Sequence, residues 1–235
     1  MMQQWKRETA ARIGIGHVGA RYPTAAYLKF LEDQARAADA VFTEVPDEVV
    51  RQLRVFEVRT RCSSKYEMLT RPDWGREFEE ETLQVLRKQC RSHPDVQIYF
   101  GDGLCATSIG ANIPDLFAGI RAALEADGIT VGTPFFVRYC RVNTARTIGP
   151  LVGAKVTCVL IGERPGMTTS ESMSAYIAYN ARPEMSESEY TVVSNISRAG
   201  IVPVEAAAHI AEVIEQILKT GHSGVESQED ENEKD

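Results

Sequence analysis

The sequence predicts an α/β fold whose sheet is mostly parallel and flanked by helices. Two patterns in its second half carry this prediction: nearly continuous runs of Val, Ile and Leu, and helical stretches that separate them. Strands buried on both faces have such unbroken apolar runs, and helices commonly connect parallel strands. The first part of the chain is mainly helical in pattern. We therefore expect a helical N-terminal region at residues 1–90 and an α/β domain at residues 91–225.

The N-terminal region contains three predicted helices and one short strand. Apolar side chains recur at helical spacing from Ala25 to Phe42, at Tyr27, Leu28, Leu31, Ala35 and Ala38. A second helix, "DEVVRQL", opens after proline. The third, "FEEETLQVLRKQC", has acids in its first turn and bases in its last, as the helix dipole favours. The stretch "VFEVRT" predicts the strand.

The α/β domain begins with a β-rich run, "DVQIYFGDG", and an amphipathic helix, "IPDLFAGIRAALEADG", closed by Gly128. Further strands are predicted at "PFFVRY", "AKVTCVLIG", "AYIAY" and "YTVVSNI". The last helix, "PVEAAAHIAEVIEQILKTG", has Pro at its start and Gly just past its end. Residues 226–235 are acidic and contain no apolar side chain, so we expect a disordered tail.

Composition excludes several classes of protein. The 235 residues are 43% hydrophobic with a formal net charge of -7, and bases alternate with acids throughout, so nucleic acid is not an expected partner. No apolar run reaches the roughly 18 residues of a membrane span, and the start lacks a signal-peptide core. We expect a cytoplasmic protein. Its five scattered cysteines, without a C-x-x-C pair, predict reduced thiols rather than zinc ligands or disulfides.

One stretch matches the dinucleotide-binding pattern G-x-G-x-x-G, from Gly14 to Gly19. That chemistry needs a buried strand before the glycines and a helix directly after them. Here "ETAAR" precedes the stretch and Pro23 follows it closely, which favours a flexible arm. A stand-alone nicotinamide-dependent oxidoreductase is nevertheless kept as an alternative.

No catalytic set is evident in the sequence. The four histidines are far apart and lack metal-ligand spacing, and no nucleophile–base pair can be argued. We therefore predict no catalytic residue and no metal ligand in this chain, and we expect a partner chain to complete the active site.

Several short stretches, taken in order, resemble one family. They are "RIGIGHVGARYPT", "RPDWGR", "PDVQI" with "DGL", "VGTPFFVRYCRV", "IGERPG", "SNI", "VPVEAAA" and "SGV". Each stretch is short, but their joint order from Arg12 to Val225 resembles the light (small) subunit of ethanolamine ammonia-lyase. The Gly14–Gly19 stretch is then the family's amino-terminal signature rather than a nicotinamide site.

The resemblance implies a fold, a cofactor and a partner. The family enzyme depends on adenosylcobalamin and converts ethanolamine to acetaldehyde and ammonia by radical chemistry inside a barrel-shaped large subunit. The small subunit is Rossmann-like and helps to hold the cofactor at the interface with the large subunit, in a hexamer of large–small pairs. Some members enter a bacterial microcompartment through an amino-terminal extension. With about eleven residues before "RIGIG", we expect the freely cytoplasmic form instead.

The family's cofactor-binding positions correspond to Val142, Glu163 and Val192 in this sequence. The third position is normally a cysteine, whose thiol can donate a hydrogen bond that valine cannot. A second departure is Ser64-Lys65, where the family commonly has Asp-Arg; no loss of function is attached to it. A cobalt-binding D-x-H-x-x-G motif is missing, in agreement with the family's base-on mode and with no metal ligand here.

These positions also suit a corrin ring, which is an apolar disc fringed with amides. Short valines allow close packing, and a carboxylate can accept amide N–H bonds. Two alternatives stay open: Glu163 could instead pair with adjacent Arg164, and the chain could be a scaffold for the large subunit that does not touch cofactor. Asp102 could present a turn to the cofactor or could cap the following helix.

Overall fold

The sheet has six strands in a computed structural model that describes residues 2–9 and 11–224. The predicted tail at residues 226–235 lies outside the described residues. The strands are β1 (Phe56–Arg59), β2 (Val96–Gly101), β3 (Phe135–Arg138), β4 (Val156–Gly162), β5 (Met173–Tyr179) and β6 (Thr191–Ile196). Their spatial order is β1-β3-β2-β4-β5-β6.

Strand direction changes at one side of the sheet. β1, β3, β2 and β4 are mutually parallel, whereas β5 runs antiparallel to both β4 and β6. The cause lies in the connection from β4 to β5, residues 163–172, which contains no helix. A parallel return needs a crossover of a dozen or more residues, usually helical. The predicted α/β class is confirmed, but the sheet is mixed at its β5–β6 side.

Eight α-helices lie among the described residues, and three short 3₁₀ helices accompany them at Trp74–Arg76, Val142–Thr144 and Glu187–Glu189. The α-helices are α1 (Met2–Glu8), α2 (Thr24–Phe42), α3 (Asp47–Leu53), α4 (Lys65–Thr70), α5 (Glu80–Gln89), α6 (Thr107–Ala126), α7 (Ala145–Val152) and α8 (Pro203–Thr220). The helices predicted from periodicity are confirmed as α2, α3, α5, α6 and α8. Helix α8 begins at Pro203 and ends at Thr220, and the next residue, Gly221, adopts a left-handed φ of 75°.

Helices cover the sheet on both faces. On one face α6 and α8 pack against alternate side chains of the central strands, including Ile98, Phe100 and Leu160. On the other face α5 and α7 pack against the intervening side chains, including Tyr99 and Val159. Every residue of β2 and β4 is buried, as their unbroken apolar runs predict. At about 1.5–3 kcal/mol for each large apolar side chain, this double burial is the main stabilising term.

The N-terminal region contributes to the same sheet. The predicted strand in "VFEVRT" is confirmed as β1, which pairs in parallel register with β3. The division near residue 90 stays a proposal. No helix of the described ranges, 2–9 and 11–224, is long and apolar enough to cross a bilayer.

Candidate functional site

The three predicted cofactor positions lie on separate elements. Val142 begins the 3₁₀ helix that follows β3, Glu163 comes directly after β4, and Val192 lies within β6. Val142 and Glu163 therefore stand beyond the carboxyl ends of parallel strands, where ligands of α/β sheets commonly bind. Val192 comes from the antiparallel side of the sheet.

Tyr176 of β5 brings these positions together. Its hydroxyl donates a hydrogen bond of 2.7 Å to Oε1 of Glu163. In the β5–β6 register Tyr176 pairs with Val192, so the two side chains share one face of the sheet. Burial, and after it the hydrogen bond to Glu163, raise the pKa of Tyr176 above its usual value. The hydroxyl therefore keeps its proton at neutral pH and remains a donor to the carboxylate.

Val142 joins the same surface through a small buried cluster. Both Val142 and Tyr176 pack against this cluster, which includes Met185 and Tyr190. The rings of Tyr176 and Tyr190 meet edge to face, with their centroids 6.2 Å apart. Val192 remains 44% exposed although it lies within a strand. The result is an open surface, which we call the Tyr176 surface, formed by Val142, Glu163, Tyr176 and Val192.

A pocket of about 290 Å³ adjoins Val142. Asn143 is only 7% exposed, and its Nδ2 donates a 2.9 Å hydrogen bond to Glu187. Its Oδ1 is buried without a hydrogen-bond partner in the part of the chain that the structure describes. A buried acceptor of this kind is costly unless something donates to it. The pocket lining consists of Pro72, Arg76, Arg141, Val142, Asn143 and Glu187.

Glu163 does not form the ion pair with Arg164 that the sequence left open. Across residues 2–9 and 11–224, the hydrogen-bond partner of the Glu163 carboxylate is Tyr176. The backbone N–H of Glu163 donates to the carbonyl of Ser172 at 3.0 Å, which closes the β4–β5 loop at its base. Arg164 is exposed, and no ion pair joins it to Glu163 within the described residues.

Asp102 does not have the helix-capping role that was one of its two expected roles. Its carboxylate accepts the backbone N–H groups of Tyr139 at 2.9 Å and Cys140 at 2.7 Å, directly after β3. It does not cap α6, whose N-terminus has no side-chain cap. The capping interpretation is therefore wrong, because the residue is 2% exposed and turned towards the neighbouring strand end. Asp102 ties the end of β2 to the end of β3.

Lys65 completes this clamp from helix α4. Its Nζ lies 3.9 Å from Oδ2 of Asp102 and donates a 2.6 Å hydrogen bond to the carbonyl of Gly103. Burial raises the pKa of Asp102 and lowers the pKa of Lys65, and the attraction between the two charges opposes both shifts. One of the family departures noted in the sequence is thus a buried structural group.

The turns that follow β2 and β4 are in contact. Gly103 has a φ of 53°, and a Cβ placed on it meets the carbonyl oxygen of Gly162 at 2.1 Å. The N–H of Leu104 donates to that same carbonyl at 2.9 Å. Only glycine fits here, and the contact holds the start of the Glu163 loop against the turn after β2.

The G-x-G-x-x-G stretch lacks the context of a dinucleotide site. Gly14, Gly16 and Gly19 all have positive φ and lie in an exposed segment that follows the short helix α1. Helix α2 begins only after Pro23. Among residues 2–9 and 11–13 no strand leads into the glycines, so the described segment lacks the strand that a nicotinamide site needs. The flexibility of this arm stays a prediction.

The cysteines are all free and buried, as expected for reduced core thiols. Burial raises the pKa of Cys90 to about 11 and that of Cys158 to about 12, so neither is a reactive thiolate at neutral pH. Among the residues described, no cluster of three or more His, Cys, Asp or Glu could hold a metal ion.

These features define an α/β protein with a candidate ligand-contact surface beside the carboxyl ends of its parallel strands. The particular family follows from comparison with known proteins. The chain belongs to the ethanolamine ammonia-lyase light chain (EutC) family, whose family model matches residues 1–227. The family is that of a lyase.

Curated relatives agree with this assignment, and each carries the name ethanolamine ammonia-lyase small subunit. The chain is 44% identical over 223 residues to the one from Clostridium perfringens, covering 95% of this chain and 76% of that one. It is 45% identical over 225 residues to the one from Clostridium acetobutylicum, covering 96% and 93%. The identity to the Listeria monocytogenes protein is 43% over 221 residues, covering 94% and 75%.

Sequence reasoning missed Tyr176 as a member of the site. Its stretch, "AYIAY", predicts only a strand, and its pairing with Val192 depends on a register that the pattern does not reveal. A signal was nevertheless present in the sequence. A tyrosine at a position facing a partly buried surface commonly uses its hydroxyl as a hydrogen-bond donor, and two carboxylates, Glu163 and Glu171, lie within thirteen residues upstream of Tyr176.

Proposed function

We propose that this chain is the small subunit of an ethanolamine ammonia-lyase and helps to hold adenosylcobalamin at its interface with a large catalytic subunit. The complex converts ethanolamine to acetaldehyde and ammonia. The observation that carries the proposal is the convergence of Val142, Glu163 and Val192 around Tyr176 on one open surface. Three positions spread over fifty residues of sequence meet there.

The chemistry of this surface fits the cofactor. A corrin ring presents an apolar disc with amide groups at its rim, so it needs flat apolar contacts and hydrogen-bond acceptors. Val192 is an exposed apolar side chain beside the Tyr176 ring. Glu163 offers carboxylate oxygens, and Asn143 offers a buried carbonyl oxygen that lacks a partner within the described chain. Amide N–H groups at the rim are suitable donors to both.

Val192 replaces the cysteine that is usual in the family, and its environment supports the proposal that the change is compatible with binding. The side chain contributes apolar contact on the face of the sheet, which valine supplies as well as cysteine does. The thiol hydrogen bond is lost. Glu163 then provides the charged contact at this side of the surface, held in place by the hydroxyl of Tyr176.

In this proposal the two chains have different roles: this chain contacts the cofactor, and the large subunit carries out the chemistry. Adenosylcobalamin, when bound, supplies the radical initiator of the family reaction. The residues of this chain orient the ring and exclude water from the side of the ring that they cover. The catalytic residues belong to the large subunit in this proposal, and the assembly is a hexamer of large–small pairs. We also propose a cytoplasmic location, which cell fractionation followed by immunoblotting tests.

Reconstitution tests the activity. Ethanolamine is incubated with this chain, the large chain and adenosylcobalamin, and acetaldehyde is measured with each component omitted in turn. Acetaldehyde is expected only with all three present. Turnover by this chain and cofactor without the large chain would contradict the proposal.

Binding of the cofactor is tested separately by spectroscopic titration of the reconstituted complex. Glu163→Gln removes the charge but keeps the shape. We expect it to weaken cofactor binding about tenfold or more, because hydrogen bonds to charged groups contribute about 1.5–3 kcal/mol. Tyr176→Phe releases the carboxylate and is expected to weaken binding less.

The matched control is Glu212→Gln on α8, an exposed glutamate on the helix that covers the opposite face of the sheet. It should leave cofactor affinity unchanged. If Glu163→Gln also leaves affinity unchanged while the two chains still associate, the chain is a scaffold that does not contact the cofactor. That outcome would overturn the cofactor-binding part of the proposal.

A further inference from the structure

Helix α2 presents an apolar stripe that nothing in the described chain covers. Tyr27, Leu28, Leu31 and Phe42 are 51%, 58%, 39% and 65% exposed. Their spacing, together with intervening alanines, places them on one face about 100° wide. The apolar side chains that recur at helical spacing in the sequence are thus exposed on one face of the helix. We call these four side chains the α2 stripe.

The opposite face of α2 is the one attached to the rest of the protein. Its buried residues are Asp33 and Ala40, which lie about half a turn around the helix from the stripe. Arg12 forms a 2.6 Å ion pair with Asp33. The face of α2 that carries Asp33 is thus attached to the rest of the protein, and the apolar stripe on the opposite face is directed outwards.

The exposed area is large for a monomer. At about half exposure, four large apolar side chains of roughly 200 Å² each present about 400 Å². Patches of this size commonly mark interaction sites, and they amount to about half of the ~800 Å² that each partner contributes to a stable interface. Tyr22 and Phe30 beside the stripe are also exposed and enlarge it.

The charges on α2 indicate a protein partner rather than a membrane. Both basic residues of the helix, Lys29 and Arg36, form ion pairs with Glu32 on the same helix. Helices that lie on anionic membranes instead direct unpaired lysines and arginines towards the lipid headgroups. An apolar groove with little net charge is the complementary surface for such a helix.

Helix α2, which carries the stripe, is attached through its other face to the loop that starts at Glu163. Besides its ion pair with Asp33, Arg12 donates a 3.3 Å hydrogen bond to the carbonyl of Met167 in that loop. A pocket of about 550 Å³ is lined both by Phe30 of α2 and by Met167. A partner that covers the Glu163 loop therefore lies next to helix α2.

We propose that the α2 stripe is a docking surface for the large subunit, which receives it in an apolar groove. The inference rests on the proposed function, because the large subunit is the chain expected against the Tyr176 surface. It adds a specific contact: the N-terminal helix, in addition to the cofactor, joins the two chains.

The test compares association of the two chains in the absence and presence of adenosylcobalamin. Leu28→Gln/Leu31→Gln removes the centre of the stripe and keeps good helix formers. We expect the dissociation constant for the large chain to rise roughly tenfold to hundredfold under both conditions. Val204→Gln is the matched control, since Val204 is a 67% exposed apolar side chain on α8, and it should have no effect.

The folding of the double variant is checked by circular dichroism and thermal unfolding, and both should match the wild type because the replaced side chains are exposed. Phe42→Ser, at the end of the helix, gives an independent second test and should also weaken association. If all variants bind the large chain as tightly as the wild type does, the proposal is overturned.

Other occupants of the stripe give distinct results. A dimer of the isolated wild-type chain that the double variant abolishes, with unchanged binding to the large chain, assigns the stripe to a second copy and overturns the proposal. Binding of the wild-type chain to anionic vesicles that the double variant abolishes, with unchanged binding to the large chain, assigns the stripe to a membrane and also overturns the proposal. If wild-type chain fails to bind the large chain at all, the proposed function fails together with this inference. If the wild-type chain binds the large chain and the stripe variants bind it equally tightly, only this inference fails and the proposed function stands.

Discussion

Replacing Lys65 by methionine isolates the contribution of the buried clamp at the strand ends. The change keeps a long apolar stem and removes the ammonium group that lies 3.9 Å from Asp102 and bonds the carbonyl of Gly103. Asp102 still accepts its two backbone N–H groups after the substitution. The variant loses the positive charge of Lys65, which compensates the buried negative charge of Asp102.

The magnitude follows from burial. The side chains of Lys65 and Asp102 are 4% and 3% exposed. Removing one partner of such a pair costs about 3–5 kcal/mol, because the remaining charge stays buried without a counter-charge. For a chain of this size that loss lowers the melting temperature by roughly 10 °C. The exposed pair between Lys155 and Asp95, with side chains 64% and 27% exposed, contributes about 1 kcal/mol or less.

Urea unfolding followed by circular dichroism measures the difference, with Lys155→Met as the matched control. The pH dependence provides a second check. In the variant, the folded-state pKa of Asp102 lies further above its unfolded value, so the folded protein binds the proton more tightly. The destabilisation should therefore shrink as pH falls through that raised pKa. A loss no larger than that of Lys155→Met, at neutral pH, would refute the reasoning.

Two further perturbations test other parts of the structure. Gly103→Ala should lower the free energy of unfolding by about 3 kcal/mol or more, because its Cβ would meet the carbonyl oxygen of Gly162. Gly128→Ala is the control: Gly128 has a φ of 74° but open space around it, so the loss should be only about 1 kcal/mol. Urea unfolding distinguishes the two variants. Asp95, whose pKa is lowered to about 2 chiefly by its lysine partner, contributes stability that is present above pH 4 and lost as pH falls towards 2. Discounted for its partial exposure, the contribution is about 1 kcal/mol, and Asp95→Asn should flatten the stability–pH curve over that interval; an unchanged slope would contradict this assignment.

The helices could be predicted because their signals are local. Helix α3 coincides with the predicted stretch "DEVVRQL", and α8 has the expected proline at its start and glycine after its end. The direction of β5 could not be read in the same way. An apolar run indicates a strand without indicating its neighbours, and the antiparallel return follows from the helix-free connection before it.

The residues of the candidate site also differ in whether the sequence could reveal them. Val142, Glu163 and Val192 were located by resemblance to a family, and whether they contact a cofactor stays a prediction. Tyr176, which brings them together, depends on strand register, and so it required the structure. The capping alternative for Asp102 was wrong because its partners, the backbone of the residues after β3, are 37 and 38 positions away in sequence.

The reversal of β5 is what builds the Tyr176 surface. In a sheet that stayed parallel, the chain after Glu163 would cross over and re-enter at the opposite edge, and a residue thirteen positions later could not return to it. Because β5 instead runs back along β4, Tyr176 comes opposite Val159 and within hydrogen-bond distance of the carboxylate. The next reversal brings β6 alongside, with Val192 next to the tyrosine ring. The departure from a purely parallel sheet is therefore the feature that joins a strand-end carboxylate to an apolar sheet face, the two properties that an amide-fringed ring requires.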